Sequence, residues 1–230
     1  GTMEDFDCLL KGVHDRGMKL ILDLVVNHTS DEHPWFIESK SSKTNAKRDW
    51  YIWADPKPDG SEPNNWESIF NGSTWEFDES TKQYYFHLFS KKQPDLNWEN
   101  PDVRQAVFEM MNWWFEKGID GFRVDAITHI KKNFEAGDLP IPDGKKFAPA
   151  FDVDMNQPGI QEWLQEMKDK SLSRYDIMTV GEANGVTPND AEEWVGEENG
   201  KFNMIFQFEH LGLWSTGDTK FDVKSYKQVL

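Results

Sequence analysis

The chain has 230 residues and a formal net charge of −16 at pH 7, which is enough length for one large domain or two small ones. Such acidity argues against nucleic acid or an anionic membrane as a partner, because both select basic surfaces. No apolar run approaches the roughly 20 residues of a membrane span, and the first residues do not resemble a signal peptide. The single cysteine, Cys8, excludes an internal disulfide framework and fits a reducing, cytoplasmic location.

The first 26 residues predict a helix followed by a buried strand. Thr2 and Asp5 are spaced as in a capping box, and apolar residues then recur at helical spacing until Arg16-Gly17. The nearly continuous apolar run Met18–Val26 predicts a strand buried on both faces, as in a parallel sheet. This is half of an α/β repeat.

The composition changes between Thr29 and Asn100, where polar residues and prolines surround six of the eleven tryptophans. The segment is too long and too aromatic for a plain loop, which indicates an inserted subdomain at residues 29–100. Within it, Trp75–Phe77 and Gln83–Phe89 predict an antiparallel hairpin.

Helices and strands alternate again after residue 100. Pro101 begins a helix whose expected apolar stripe is Val103, Val107, Met110 and Trp114, and which ends at Gly118. The later elements are a strand ending at Asp125, a helix after Pro158, a strand at 177–182, a helix around 187–195, an apolar segment at 202–208 and a helix from Val223. The alternation predicts an α/β fold with about four consecutive βα units, part of a closed (β/α)8 TIM barrel.

Polar clusters stand at the ends of three predicted strands: Asp23–His28, Arg123–Asp125 and Glu182. The carboxyl ends of parallel strands share one edge, so the clusters should converge there. If the strands of Asp125 and Glu182 are neighbours, strand spacing puts their carboxylates roughly 5 Å apart, as in a retaining glycosidase.

The two carboxylates are expected to differ in pKa. Arg123 lies on the face of Asp125 and should keep it ionised, whereas Glu182 has no cation close in sequence and follows an apolar run that should raise its pKa. The alternatives at this point are a buried structural ion pair and ordinary polar residues at strand ends.

Four segments carry a family resemblance: Asp23-Leu-Val-Val-Asn-His28, Gln93-Pro-Asp-Leu-Asn97, Gly121-Phe-Arg-Val-Asp125 and Gly181-Glu182. They resemble, in order, conserved blocks of the α-amylase superfamily of glycoside hydrolases, and the second block resembles its oligo-1,6-glucosidase and α-glucosidase branch. The resemblance implies a partial catalytic barrel domain at residues 1–28 and 101–230, with 29–100 as the subdomain that covers one side of the pocket.

The resemblance also implies roles for single residues. Asp125 matches the nucleophile, Glu182 the general acid/base, and Arg123 the arginine that holds the nucleophile. The remaining matches are expected to bind the sugar or to orient Arg123: Asp23, His28, Phe70, Phe89 and Gln93. The implied substrate is a short malto- or isomalto-oligosaccharide, with no cofactor and no metal ion.

Two features qualify this expectation. The third family carboxylate, in a His-Asp pair, is not found in the chain, so we expect a piece of an α-glucosidase about twice as long that is not an efficient catalyst by itself. Ala126 follows the nucleophile, where a small residue accompanies α-1,4 preference in this branch and valine α-1,6, so a slight α-1,4 preference is expected.

Two other classes remain open. One is a noncatalytic relative, similar to the heavy chains of amino-acid transporters, which acts as a binding and assembly partner. The presence of all four residues Asp125, Glu182, Arg123 and His28 argues against it. The other is a metal-dependent hydrolase using Asp23, His28, Asp125 and His129, for which no spaced histidine or cysteine pair is present.

Overall fold

The computed structural model describes residues 1–214 and 222–229. The chain divides into two compact units: the first comprises residues 1–24, 108–128 and 158–230, and the second residues 25–107 and 129–157. The bounds 29–100 of the expected subdomain stay a prediction.

The helices are α1 (Met3–His14), α2 (Pro34–Ser41), α3 (Pro101–Lys117), α4 (Phe151–Asp154), α5 (Ile160–Lys170), α6 (Ala191–Val195) and α7 (Val223–Val229). The strands are β1 (Ile21–Val25), β2 (Trp53–Ala54), β3 (Trp75–Asp78), β4 (Gln83–Phe86), β5 (Gly121–Asp125), β6 (Met178–Glu182) and β7 (Met204–Phe206). Short 3₁₀ turns connect several of them.

A four-stranded sheet in the order β1-β5-β6-β7 organises the first unit. β5 pairs in parallel with β6, and β6 in parallel with β7. Val124 lies opposite Gly181, so the next residues along, Asp125 and Glu182, stand side by side where the two strands end. The predicted α/β class and parallel sheet are therefore confirmed.

Local signals placed two of the helices correctly. In α1, Thr2 and Asp5 form the expected capping box, which satisfies backbone N–H groups that have no partner inside the helix. In α5, the predicted apolar face is the buried one: Ile160, Trp163, Leu164 and Met167.

The buried stripe of α3 differs from the expected one. Val103 and Val107 are buried as predicted, but the stripe continues through Met111 and Phe115, while Met110 and Trp114 are only partly buried. Four-residue steps from Val107 reach Met111 and Phe115, and these spacings keep residues on one helix face.

The expectation that β1 is buried on both faces was wrong. Leu24 is buried, whereas Asp23 and Val25 are exposed. β1 stands at the end of the strand order, so it has a neighbouring strand on one side only within the described residues.

The second unit contains a three-stranded antiparallel sheet in the order β2-β4-β3. The predicted hairpin is confirmed, with Trp75 opposite Phe86 and Asp78 opposite Gln83. Its core is a cluster of six buried residues: Trp66, Trp75, Phe86, Leu88, Ala150 and Val153. Helix α2 and the two-residue strand β2 were not predicted.

Gly121 is required where β5 passes β6. A Cβ added there would meet the Met178 carbonyl oxygen at 1.8 Å, and its φ is +154°. We expect Gly121→Ala to lower the free energy of unfolding by about 3 kcal/mol, because the strands must separate to admit the methyl group. Urea denaturation measures the change.

Gly12→Ala, at a half-buried position in the last turn of α1, is the matched control. Its nearest neighbour is Arg16 Nη1 at 3.5 Å, so the same methyl group should stabilise the protein by up to about 1 kcal/mol through helix propensity. Equal effects of the two substitutions would contradict the close approach of β5 and β6.

None of the helices in the described residues is long and apolar enough to cross a membrane.

Candidate active site

Arg123 on β5 joins three carboxylates in the first unit. Its Nη1 donates to Asp23 Oδ1 at 2.7 Å and to Asp125 Oδ1 at 2.5 Å, and its Nη2 donates to Glu182 Oε2 at 2.5 Å. The planar guanidinium can serve several acceptors at once because its donors point in fixed directions. These hydrogen bonds outweigh the opposing effect of burial, so the pKa of Arg123 is raised.

The carboxyl groups of Asp125 and Glu182 lie close enough to influence each other. Both side chains are mostly buried, with 23% and 21% of their surface exposed. Burial, followed by contact with the Asp125 carboxyl group, raises the pKa of Glu182, although Arg123 and a backbone N–H oppose the shift. Glu182 therefore holds a proton at higher pH than an ordinary glutamate does.

Ala126 supplies that backbone N–H. It donates to Glu182 Oε2 at 3.3 Å, and its φ of +45° lies in the left-handed region, which is uncommon for residues other than glycine and strained for β-branched ones. The turn directly after β5 thus points an amide at the carboxyl group of the neighbouring strand. Nothing in the sequence indicated this contact.

The sequence also did not reveal the cation beside Glu182. Arg123 and Glu182 are 59 residues apart, and only the parallel register of β5 and β6 brings them together. The expected convergence of Asp23, Arg123, Asp125 and Glu182 is present in the structure. The raised pKa expected for Glu182 is found as well, even with a cation in contact.

The other predicted sugar contacts lie in the second unit. His28 Nε2 is 2.9 Å from Gln93 Nε2, and the His28 and Phe89 rings are 5.2 Å apart between centroids. The rings of Phe70 and Phe89 are 5.8 Å apart between centroids, and Phe70 is 61% exposed. These four side chains therefore form one group.

A fully buried ion pair is connected to His28 through Asn27. Lys132 Nζ is 2.6 Å from Asp95 Oδ2, with both side chains at most 1% exposed. Asn27 bridges the pair, since its Nδ2 donates to Asp95 and its Oδ1 accepts from Lys132. The Asn27 Nδ2 group also lies 3.3 Å from His28 Nδ1. Nothing in the sequence indicated this network, although Asp95 belongs to the Gln93–Asn97 segment.

We expect Lys132→Met to lower the free energy of unfolding by about 3–5 kcal/mol, because it leaves the buried Asp95 charge without a cation. Adding Asp95→Asn should recover much of that loss, since no charge then remains to be compensated. Urea denaturation at pH 7 measures both.

The matched control is Lys145→Met. Lys145 pairs with Glu67 at 2.7 Å but is 45% exposed, so its loss should cost no more than about 1 kcal/mol. If the two lysine substitutions cost the same, Lys132 does not compensate a desolvated charge.

Within residues 1–214 and 222–229, no three His, Cys, Asp or Glu side chains are placed so that they could bind one metal ion together. His129 is engaged elsewhere, with its Nδ1 3.0 Å from the backbone oxygen of Asp154. The metal alternative therefore has no support from this part of the chain.

The first unit is thus a parallel α/β assembly with a carboxylate pair at the carboxyl ends of adjacent strands. Comparison with known proteins agrees with this class. The family described as "Alpha amylase, catalytic domain" matches residues 1–229. The chain belongs to this family, and its parallel sheet is part of the family's TIM barrel.

Curated relatives are similar over the whole chain. The chain is 62% identical over 231 residues to "Probable oligo-1,6-glucosidase 3" of Bacillus subtilis, covering 100% of this chain and 42% of that protein. It is 55% identical over 226 residues to "Oligo-1,6-glucosidase" of Parageobacillus thermoglucosidasius, covering 98% of this chain and 40% of that protein. The chain therefore spans about two fifths of the length of these relatives.

Solved structures are similar as well. A mutant of Bacillus licheniformis trehalose-6-phosphate hydrolase aligns with a TM-score of 0.90 and 45% identity, covering 100% of this chain and 41% of that chain. Isomaltulose synthase from Protaminobacter rubrum aligns with a TM-score of 0.89 and 39% identity, over 100% of this chain and 41% of that chain.

Proposed function

We propose that this chain carries the catalytic carboxylates of a retaining α-glucosidase that cleaves short malto- or isomalto-oligosaccharides. The observation that supports the proposal most is the guanidinium of Arg123 bound to both Asp125 and Glu182, with the pKa of Glu182 raised. One carboxylate beside a cation and one that retains its proton are the two groups that double displacement needs.

In the first step the Asp125 carboxylate attacks the anomeric carbon while the glycosidic C–O bond breaks. Glu182 transfers its proton to the departing oxygen, which leaves a β-linked glucosyl ester on Asp125. Arg123 remains bound to both groups, so a cation faces Glu182 as it becomes an anion. Its charge offsets the desolvation that otherwise favours the protonated acid.

In the second step ionised Glu182 takes a proton from water, and the oxygen attacks the same carbon from the face that the leaving group occupied. The ester bond breaks, Asp125 is released as carboxylate, and glucose departs in the α configuration. Two inversions give net retention. In this proposal Asp23 orients Arg123. The residues that bind the sugar are His28, Phe70, Phe89 and Gln93.

The linkage preference rests on Ala126. Its backbone conformation disfavours a β-branched side chain, and the small methyl group leaves room on the aglycone side, which supports a slight preference for α-1,4 bonds. The names of two similar proteins denote α-1,6 cleavage. Measuring kcat/KM for maltose and for isomaltose, in the unchanged protein and in Ala126→Val, distinguishes an α-1,4 from an α-1,6 preference. We expect the variant to shift the ratio of the two kcat/KM values towards isomaltose.

Two measurements on the whole protein test the mechanism. NMR should show α-glucose as the first product from an aryl α-glucoside, before mutarotation. A fluorinated glucosyl fluoride that forms a long-lived ester should label Asp125, located by peptide mass spectrometry. First release of β-glucose, or a label on another residue, would refute the assignment; no turnover and no label in folded protein would favour the noncatalytic relative.

The proposed location is the cytoplasm, with a small oligosaccharide as the partner. The lone cysteine supports a reducing compartment.

A further inference from the structure

The ring of His28 is faced by the amide groups of two side chains. Asn27 Nδ2 lies 3.3 Å from its Nδ1, and Gln93 Nε2 lies 2.9 Å from its Nε2. Both amide nitrogens are donors, whereas a neutral imidazole has one nitrogen that carries the hydrogen and one that accepts. Only one of the two amides can therefore donate to the ring, and the other must turn its oxygen towards it.

Asn27 cannot turn without losing its contacts with the ion pair of Lys132 and Asp95. Its Oδ1 accepts from Lys132 Nζ at 2.9 Å, and its Nδ2 donates to Asp95 Oδ2 at 3.0 Å. An ammonium group only donates and a carboxylate only accepts, so a turned amide would face two groups of the wrong kind. Asn27 and Asp95 are fully buried, where water cannot replace the lost hydrogen bonds.

The backbone holds these side chains in register. Leu96 N–H donates to the backbone oxygen of Asn27 at 2.9 Å, and His28 pairs with Asp95 in an isolated β-bridge. The other oxygen of the Asp95 carboxylate accepts from the backbone N–H of Leu88 at 2.9 Å. The carboxylate is thus held at both oxygens and keeps one of them pointed at Asn27.

The Gln93 amide is held less firmly than the Asn27 amide. Its Oε1 accepts from the backbone N–H of Ser90 at 3.2 Å, and both residues are partly exposed. Both groups in this hydrogen bond are neutral, and hydrogen bonds with a charged partner are about twice as strong. Turning Gln93 therefore costs one neutral contact, whereas turning Asn27 costs two charge-assisted ones. The balance favours Asn27 as the donor to Nδ1, which requires the hydrogen of neutral His28 to be on Nε2.

We propose that the buried ion pair, acting through Asn27, fixes the hydrogen of His28 on Nε2, where it is donated to a hydroxyl group of the sugar. In the free protein the oxygen of Gln93 accepts this hydrogen, and the bound hydroxyl group takes its place. Asn27, Asp95 and Lys132 are positioning residues, because they act on the sugar only through His28. The contact with the sugar rests on the proposed function, whereas the tautomer of His28 does not.

The test is a ¹⁵N NMR measurement on the whole protein with labelled histidine at pH 8, where an ordinary histidine is neutral. The two ring nitrogens show directly which of them carries the hydrogen, and His28→Gln identifies the resonances. We expect Nε2–H in the unchanged protein and Nδ1–H in the double variant Lys132→Met/Asp95→Asn. In that variant the Leu88 N–H keeps the new amide oxygen, so the NH2 group faces Asn27, which then turns its own oxygen towards His28.

Two further variants separate the ion pair from other influences on the ring. Gln93→Met removes the competing amide and should leave the hydrogen of His28 on Nε2. Lys145→Met/Glu67→Gln makes the same kinds of change in an ion pair of the same unit whose lysine is 45% exposed, and it should also leave the tautomer unchanged. The unchanged protein decides the tautomer even if the double variant at Lys132 and Asp95 does not fold.

The functional consequence is measured as kcat/KM for an aryl α-glucoside. It should fall about tenfold in Lys132→Met/Asp95→Asn, the effect of one lost hydrogen bond to the sugar, and stay the same in Lys145→Met/Glu67→Gln. Three outcomes would overturn the inference: Nδ1–H in the unchanged protein, Nε2–H in the double variant, or a switched tautomer with an unaltered kcat/KM. The proposed hydrolysis is tested separately, since Asp125→Asn should abolish turnover and leave the hydrogen of His28 on Nε2.

Discussion

Removing the carboxylate of Asp125 as Asp125→Gly should reduce kcat/KM for an aryl α-glucoside by about 10⁴-fold or more, the scale on which a lost nucleophile acts. Azide should restore turnover and yield β-glucosyl azide, because the anion enters the space of the missing side chain and attacks from the β face. The product anomer, read by NMR, identifies the face on which Asp125 stands.

Glu182→Gly should behave differently with the same reagent. General acid–base catalysis contributes about 10²–10⁴-fold, but a substrate with a good leaving group needs no acid, so the glucosyl ester on Asp125 accumulates. Azide then attacks that ester from the α face, and the product is α-glucosyl azide. The same anomer from both variants would mean that the two carboxylates do not have opposite roles.

Asp23→Gly is the control for both. Asp23 binds the same guanidinium as Asp125 does, yet its side chain is 55% exposed, and it is assigned no bond to the substrate. The reduction in kcat/KM should be smaller in Asp23→Gly than in Asp125→Gly or Glu182→Gly, and azide should not restore turnover. Rescue of Asp23→Gly would place the nucleophile on β1 instead of β5.

Signals within a few residues of each other were sufficient for much of the fold. The capping box of α1 and the apolar spacing of α5 are contained in one element each, so the chain alone predicts them. Helix α2 was not predicted because its apolar residues do not recur at helical spacing. Strand β2 was not predicted because two residues are too few to show an alternating pattern. The position of β1 in the sheet depends on its neighbours, which its own sequence does not describe.

The candidate site divides in the same way. Arg123 and Asp125 are two residues apart, so strand geometry alone predicts their contact. The contacts of Glu182 with Arg123 and Ala126 span 59 and 56 residues and depend on the strand register and on a left-handed turn without glycine. The buried pair of Asp95 and Lys132 joins two segments whose sequences do not indicate each other.

Arg123→Met should lower kcat/KM by about 10²–10³-fold, the cost of removing an electrostatic contact that acts at the reacting centre. It should also move the basic limb of the pH profile. In the proposed mechanism activity requires protonated Glu182, whose pKa Arg123 lowers. Without the guanidinium that pKa rises further, so the limb moves to higher pH even though the rate falls.

Arg123→Lys separates charge from geometry. An ammonium group keeps the positive charge, so the basic limb should stay close to that of the unchanged protein, but it cannot bridge two carboxylates as the planar guanidinium does, so only part of the rate should return. Arg174→Met, whose guanidinium Nη1 donates to the backbone oxygen of Lys170 at 3.2 Å and is assigned no contact with either carboxylate, should change neither. A basic limb that moves to lower pH in Arg123→Met would show that Glu182 is not the acid, because losing a cation can only favour the protonated form of a carboxyl group beside it.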